Sequence, residues 1–426
     1  MADDCTVVRF SREPSLAKIE NLKPSDNVDK FTDSGHFDVF YVVCIALSII
    51  TYVLDIVLAC FLLYFYFISG HGLYFALTLT FLIIPAFFMT TFSFRWYIVD
   101  HDDPSLERES VTQWIIRIVF LLLQLTPLLR YVDTLIYGIR SKIAAATGNA
   151  AKHAVLYRRM LDEDTNTVCL LRLFHCFLHS ALQAILQLVI LLYHIIHREK
   201  AALNINVAVL QAWTVFAALI SIAWSLTSYH RSVRHARDDK VNIKWGGVVV
   251  AFCWQLMSAW SRVLALSLIA TIFPAWMGCV CALHWGVMFI WLALGQHQTA
   301  ACSSRCEELL LSVALGFAYV TAFISPRDGP SRYIYLAYYL VCFMENTAAL
   351  VVWCVANNSA DNPVLYYGAA GGQVIAFLMG IAFLFIYYRY CHPSLMNRSK
   401  IPSLDSDYLE SECPGYSKSY NVRSRS

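Results

Sequence analysis

Apolar residues fall along this chain in long unbroken blocks, not in the one-sided stripe of a helix lying on a soluble core. Ten blocks stand out, near 39–67, 73–98, 114–138, 168–196, 205–228, 245–269, 273–295, 308–325, 333–356 and 364–389. Most reach the length of about 20 residues with which an α-helix crosses a hydrocarbon layer roughly 30 Å thick. A backbone in lipid must satisfy its own hydrogen bonds, so such blocks predict helices. Two blocks differ from the rest. The segment 114–138 carries Arg117, Arg130 and Asp133 with Pro127 in its middle, and 308–325 is short and runs into a Pro-Arg-Asp-Gly-Pro turn at 326–330.

The charges between the blocks decide whether these two cross. Residues 139–167 hold Arg140, Lys142, Lys152, Arg158 and Arg159, and residues 229–244 hold Arg231, Arg234, Arg237, Lys240 and Lys244. Both read as cytosolic loops by the excess of cations on the cytosolic side. A full span at 114–138 would push 139–167 outside and break that rule. The expected fold is therefore an all-α polytopic membrane protein of eight transmembrane helices, with two half-inserted or re-entrant helical elements and both termini cytosolic.

An internal order follows from that assignment. Residues 37–228 and 245–390 each read span, span, half-inserted element, span, span, two pseudo-repeats joined by a basic cytosolic linker at 229–244, as in repeat-built carriers. Residues 1–36 are polar where a signal peptide would need an apolar stretch, and are expected to form a cytosolic tail. Residues 391–426, rich in Ser and mixed charge, are expected to be a disordered cytosolic tail. On the last span Gly368, Gly372, Ala376 and Gly380 recur every four residues, a stripe that permits close helix approach. The sequon Asn357-Asn358-Ser359 falls outside in this scheme.

Composition agrees with the pattern. The chain of 426 residues is 58% hydrophobic and 15% charged, against about 45–50% and 25% in soluble domains. A formal charge of +2 lacks the footprint of a nucleic-acid binder. The 14 Cys are scattered, many in apolar runs such as those of Cys44, Cys60 and Cys253, and are read as buried small hydrophobes.

The chemistry sits at membrane depth. Asp55, Arg172, Arg262 and Glu345 lie inside apolar spans, where each costs about 2.5–3.5 kcal/mol, so none should face lipid. Arg262 and Glu345 stand at similar depths and are the best candidates for a buried pair. In 168–196, Arg172, His175, His179, Gln183 and Gln187 follow spacings of 3, 4, 4 and 4 and share one helix face. At 1.5 Å per residue the stripe climbs roughly 22 Å. Two readings stand: a track along which a lipid headgroup crosses, or interhelical hydrogen-bond glue. The two histidines lack the Glu of an H-E-x-x-H metal motif, and no phosphate loop or nucleophile elbow occurs, so neither a cofactor, an ATP-driven pump nor a common hydrolase is indicated.

The most specific stretches are Leu171-Arg172-Leu173-Phe174 with Phe177-Leu178 and Ala181-Leu182-Gln183, then Trp224-Ser225-Leu226 with Ser228-Tyr229-His230-Arg231. Trp260-Ser261-Arg262-Val263-Leu264-Ala265, Glu345-Asn346 and Tyr387-Tyr388-Arg389-Tyr390-Cys391-His392-Pro393 complete the set. Together they resemble the XK-related membrane proteins, several of which scramble phospholipids in apoptosis. The resemblance implies a non-enzymatic lipid path through Asp55, Arg172, Arg262 and Glu345. It also implies activation by a caspase cut after Asp, for which Asp29 in Asp26-Asn27-Val28-Asp29 and Asp407 in Leu404-Asp405-Ser406-Asp407 are candidates. Where similar proteins carry Glu, this chain has His175 and His179, and it has Leu182 in place of Pro. Two functions are compatible with the resemblance. One is an ATP-independent phospholipid scramblase exposing phosphatidylserine at the plasma membrane, with or without a single-pass accessory subunit. The other is an XK-like receptor for a bridge-like lipid-transfer protein, docked on 139–167.

Overall fold

The computed structural model describes residues 37, 39–101, 111–123, 125–197, 205–235, 243–295, 305–322, 332–357 and 363–391, and these are almost wholly helical with no strand among them. Among the described residues, eight helical stretches are long and apolar enough to cross a membrane. Six of them are single rods: α1 (Val39–Ile68), α2 (Gly72–His101), α8 (Ile205–His235), α9 (Trp245–Ile272), α10 (Pro274–Gly295) and α12 (Arg332–Ala356). The last, α13 (Pro363–Ile386), continues into a π-helical turn, Tyr387–Cys391. The remaining one belongs to a longer rod. It begins at α5 (Ala150–Asp162) and passes through the π-helical stretch Glu163–Val168, α6 (Cys169–His175), a second π-helical stretch Cys176–Ser180, and α7 (Ala181–His197).

The two exceptional blocks take the forms their sequences suggest. The first breaks just before Pro127 into α3 (Val111–Leu122) and α4 (Thr126–Ala146), with the proline in the first turn of α4, where the amide it lacks would have no intrahelical partner. The second is α11 (Arg305–Thr321), shorter than a span. Neither is among the eight long apolar stretches.

The segment 139–167, expected as a loop, is helical instead. Ala144, Ala145, Ala146, Ala150 and Ala151 favour helix on both sides of the turn. Gly148 at φ +75° supplies the left-handed residue that ends α4, and the Asn149 side chain accepts from the Lys152 amide at 3.0 Å to open α5. The result is a helical hairpin, α4–α5, whose second arm runs on into the third long span.

Helices α8 and α9 form the centre of the bundle, and the α9–α13 contact is the most extensive. The small-residue stripe serves that contact most tightly at its far end, although Gly372 also faces Leu264 on α9. A Cβ at Gly380 would lie 2.9 Å from the Ser258 hydroxyl oxygen, and Ala376 is buried, whereas Gly368 meets nothing. Cys44 is buried and Cys253 half-buried, but Cys60 is exposed on the outer face of α1, contrary to its reading as a core residue. One end of the bundle gathers the start of α1, the end of α8 and the start of α9: Phe40 lies 3.9 Å from the Trp245 ring, and Tyr41 5.8 Å from that of His235. The outer surfaces of the helices expose large apolar side chains such as Trp276, Leu283 and Val355, as hydrocarbon-facing helices do.

Candidate functional site

Asp55 lies on the inward face of α1, which presents Ser48, Tyr52, Asp55, Ala59, Leu62 and Tyr66 at helical spacing, all buried. One Asp55 carboxylate oxygen accepts the Ser180 hydroxyl at 2.6 Å and pairs with His175 Nε2 at 3.3 Å. The His175 ring sits between Tyr52, at 4.6 Å, and the stacked ring of His179, at 4.9 Å. His179 Nδ1 donates to the Phe81 carbonyl at 2.8 Å.

The polar column continues along α7. Gln183 Nε2 donates to the Thr78 carbonyl at 3.0 Å, and Gln187 Nε2 donates to Thr78 Oγ1 and Gln183 Oε1, each at 3.2 Å. The Tyr66 hydroxyl donates to Gln187 Oε1 at 2.6 Å and accepts from Gln211 at 2.7 Å. The stripe is therefore hydrogen-bonded along its length to α1 and α2 and, through Tyr66, to α8, with His175, His179, Gln183 and Gln187 all at most 4% exposed. The histidine nitrogens facing α1 and α2 are spent on protein partners. Arg172 does not join this column. It turns to α4, donating to the Tyr131 hydroxyl at 3.2 Å with its guanidinium 5.3 Å from that ring.

A second polar centre lies in the other half. Arg262 Nε donates to the Val320 carbonyl at the end of α11 at 2.7 Å, Nη1 to Asn346 at 3.0 Å, and Nη2 to Glu345. The other Glu345 oxygen is 3.0 Å from His284 Nδ1 on α10. Four helices thus meet at one guanidinium–carboxylate pair, the pair expected from depth. Arg262 is 4% exposed, while the Glu345 side chain is 31% exposed. Beside them is a cavity of about 20 Å³ lined by Gln255, Ser258, Arg262, Tyr338 and Asn346, large enough for a single water.

The charges of the broken block are satisfied inside the protein. Arg130 pairs with Glu163 at 2.9 Å, donates to Ser93 and lies 3.4 Å over the Tyr97 ring, and Tyr97 donates to Asp133 at 3.1 Å. Ser180, Thr78, Tyr66, Gln211 and His284 were not marked by sequence. Hydroxyls inside apolar spans are too common to flag, and His284 would have been found only as the one residue of 273–295 that is His, Asp, Glu, Lys or Arg. Asp29 and Asp407 lie outside the described residues.

The two centres correspond. Asp55 stands 16 residues after Val39 on the first long helix of its half, and Arg262 stands 17 after Trp245 on the first of the other. Each pairs with the third long span of its own half, with the signs exchanged.

The XK-related protein family matches residues 43–393. This chain belongs to the XK-related family. Among curated relatives, cell death abnormality protein 8 of Caenorhabditis elegans is 26% identical over 370 residues, covering 84% of this chain and 79% of the relative. The protein of the same name from Caenorhabditis briggsae is 26% identical over 381 residues, covering 87% and 81%. Membership of the XK-related family, together with the eight long apolar helices, makes this a multi-pass membrane protein. The stretches that carry the resemblance are packing centres in the structure. Trp224 donates to Ser48 at 2.8 Å, Arg231 lies 4.7 Å over the Tyr41 ring, and Tyr387 packs on Trp254 at 5.9 Å.

Proposed function

We propose that this XK-related chain is an energy-independent phospholipid scramblase that exposes phosphatidylserine in apoptosis, working in the plasma membrane with both termini cytosolic. The observation that carries the reading is the polar column from Asp55 through His175, His179, Gln183 and Gln187 to Tyr66 and Gln211, built at the depth of apolar spans. Buried polar groups in a membrane are costly and mark pathways. The relatives named for cell-death abnormality support the apoptotic setting.

The column is closed in this arrangement. Its link to α2 consists of the hydrogen bonds from His179, Gln183 and Gln187 to Phe81 and Thr78. Parting α2 from α7 would exchange these bonds for bonds to water and a passing headgroup, while the acyl chains stay outside. Such an exchange is nearly balanced in number of hydrogen bonds, as a two-state gate requires. Cleavage after Asp29 or Asp407 by a caspase is the proposed trigger. The test is lipid exchange between the leaflets of liposomes holding the purified chain, before and after the cut.

A second reading, an XK-like receptor for a bridge-like lipid-transfer protein, draws on the exposed basic residues of the α4–α5 hairpin. Absence of lipid exchange from intact and cut protein alike would favour it.

A further inference from the structure

The outward face of the α4–α5 hairpin belongs to neither polar centre. Val132, Ile136, Ile139 and Ile143 on α4 are between 39% and 58% exposed. At about 100° per residue they occupy an arc of roughly 60°, and they extend about 16 Å along the helix. Arg140 and Lys142, both exposed, fall at about 70° and 90° to either side of the centre of that arc. The second arm adds exposed Lys152 and Arg158 around Val155, itself 70% exposed. The two acids of residues 126–162, Asp133 and Asp162, are half-buried, and Asp133 takes the Tyr97 hydroxyl. The exposed face therefore offers four cations, an apolar ridge and no exposed carboxylate.

We infer that this face is a docking surface for anionic phospholipid headgroups, with the isoleucine ridge entering the acyl boundary and the flanking cations at phosphate level. An apolar strip between basic residues that reach sideways is the arrangement with which a helix lies in a membrane interface and selects acidic lipids. The hairpin is placed for it. Its Tyr157 hydroxyl is 3.0 Å from His235 Nε2 at the end of α8, at the bundle end whose flanking segments are basic. Arg130 ties the inner face of α4 to Ser93 and Glu163, so the outward face is held in one orientation. A protein partner would be expected to meet opposite charges and a shaped groove. The ridge is a straight strip on a convex helix, which suits a lipid surface.

The test places a fluorescent amino acid at Ile143 of the full chain, reconstituted in vesicles of phosphatidylcholine alone or of phosphatidylcholine with phosphatidylserine. The expected result is a blue-shifted emission in the serine-lipid vesicles that high salt reverses. Arg140→Gln, Lys142→Gln, Lys152→Gln and Arg158→Gln together should abolish the shift, and each alone should weaken the lipid dependence roughly fivefold. The salt reversal needs no substitution, so a misfolded variant does not leave the question open. Identical emission in both vesicle types would overturn the inference. So would a shift that survives both high salt and neutralisation, which would mark simple apolar burial, and water-like emission throughout would leave the face to a protein partner. None of these outcomes depends on whether the protein moves lipid.

Discussion

Arg262 is the residue on which most of the second half depends, since it joins α9 to the end of α11 and to two side chains of α12. Removing Glu345 leaves this buried guanidinium without its countercharge and also frees His284. Glu345→Ala should cost about 3 kcal/mol, the low end of the range for breaking a buried pair because Glu345 is partly exposed. The measurement is the unfolding midpoint of the purified protein. The double variant with Arg262→Leu should recover part of the loss, and strictly additive losses would refute the coupling. Gln187 is the comparable residue of the first half. Gln187→Leu leaves the Tyr66 hydroxyl proton without its acceptor and takes a donor from Thr78, and should lower stability by about 1–3 kcal/mol in the same assay. The pair Arg262–Glu345 was legible in the sequence, because opposite charges at one depth have few other partners. The pair Asp55–His175 was not, because which faces of α1 and α6 meet is set by packing. The stripe itself was legible as far as His175 to Gln187. Arg172 left it because Tyr131, more than 40 residues earlier in the chain, offered a ring and a hydroxyl that the pattern of a single helix cannot reveal.

Among the elements, α13 shows how a regular pattern is used unevenly. Gly380 faces Ser258 on α9 so closely that even a methyl group would have to displace it, so Gly380→Ala should loosen the α9–α13 contact by about 1–3 kcal/mol. Gly368→Ala, in open space, should stay within about 0.5 kcal/mol. Comparing the two midpoints checks the assignment, and equal effects would contradict it. The long spans could be read from length and apolarity alone, since a lipid-crossing helix has little freedom in either. The α4–α5 hairpin could not be read that way: its cations marked it as a loop, although its alanines and the Gly148-Asn149 turn favour two helices. The π-helical stretches at Glu163–Val168 and Cys176–Ser180 also escaped the sequence, because a one-residue register insertion leaves hydropathy almost unchanged.

For the whole molecule, one acid–base pair ties α1 to the third long span and a second ties α9 to α12, and α8 and α9 stand at the centre between the two sets of helices. The first half adds the polar column, whose bonds to α2 are few enough to break and re-form. Cysteines introduced into α4–α5 and the 229–244 linker should react only with reagent applied from the cytosolic side, and external labelling of either would reverse the proposed topology. The central claim is that this closed column opens to let headgroups pass. The most direct measurement reconstitutes the full chain, a chain starting at Lys30, one ending at Asp407 and one with both ends removed into liposomes. A fluorescent phosphatidylserine in both leaflets is then bleached from outside. The account predicts that the full chain leaves the inner-leaflet probe protected, and that at least one shortened chain exposes it without ATP. In that shortened chain, His179→Leu with Gln183→Leu should restore protection while leaving the protein folded. Inner-leaflet probe that stays protected in every shortened chain would contradict the claim.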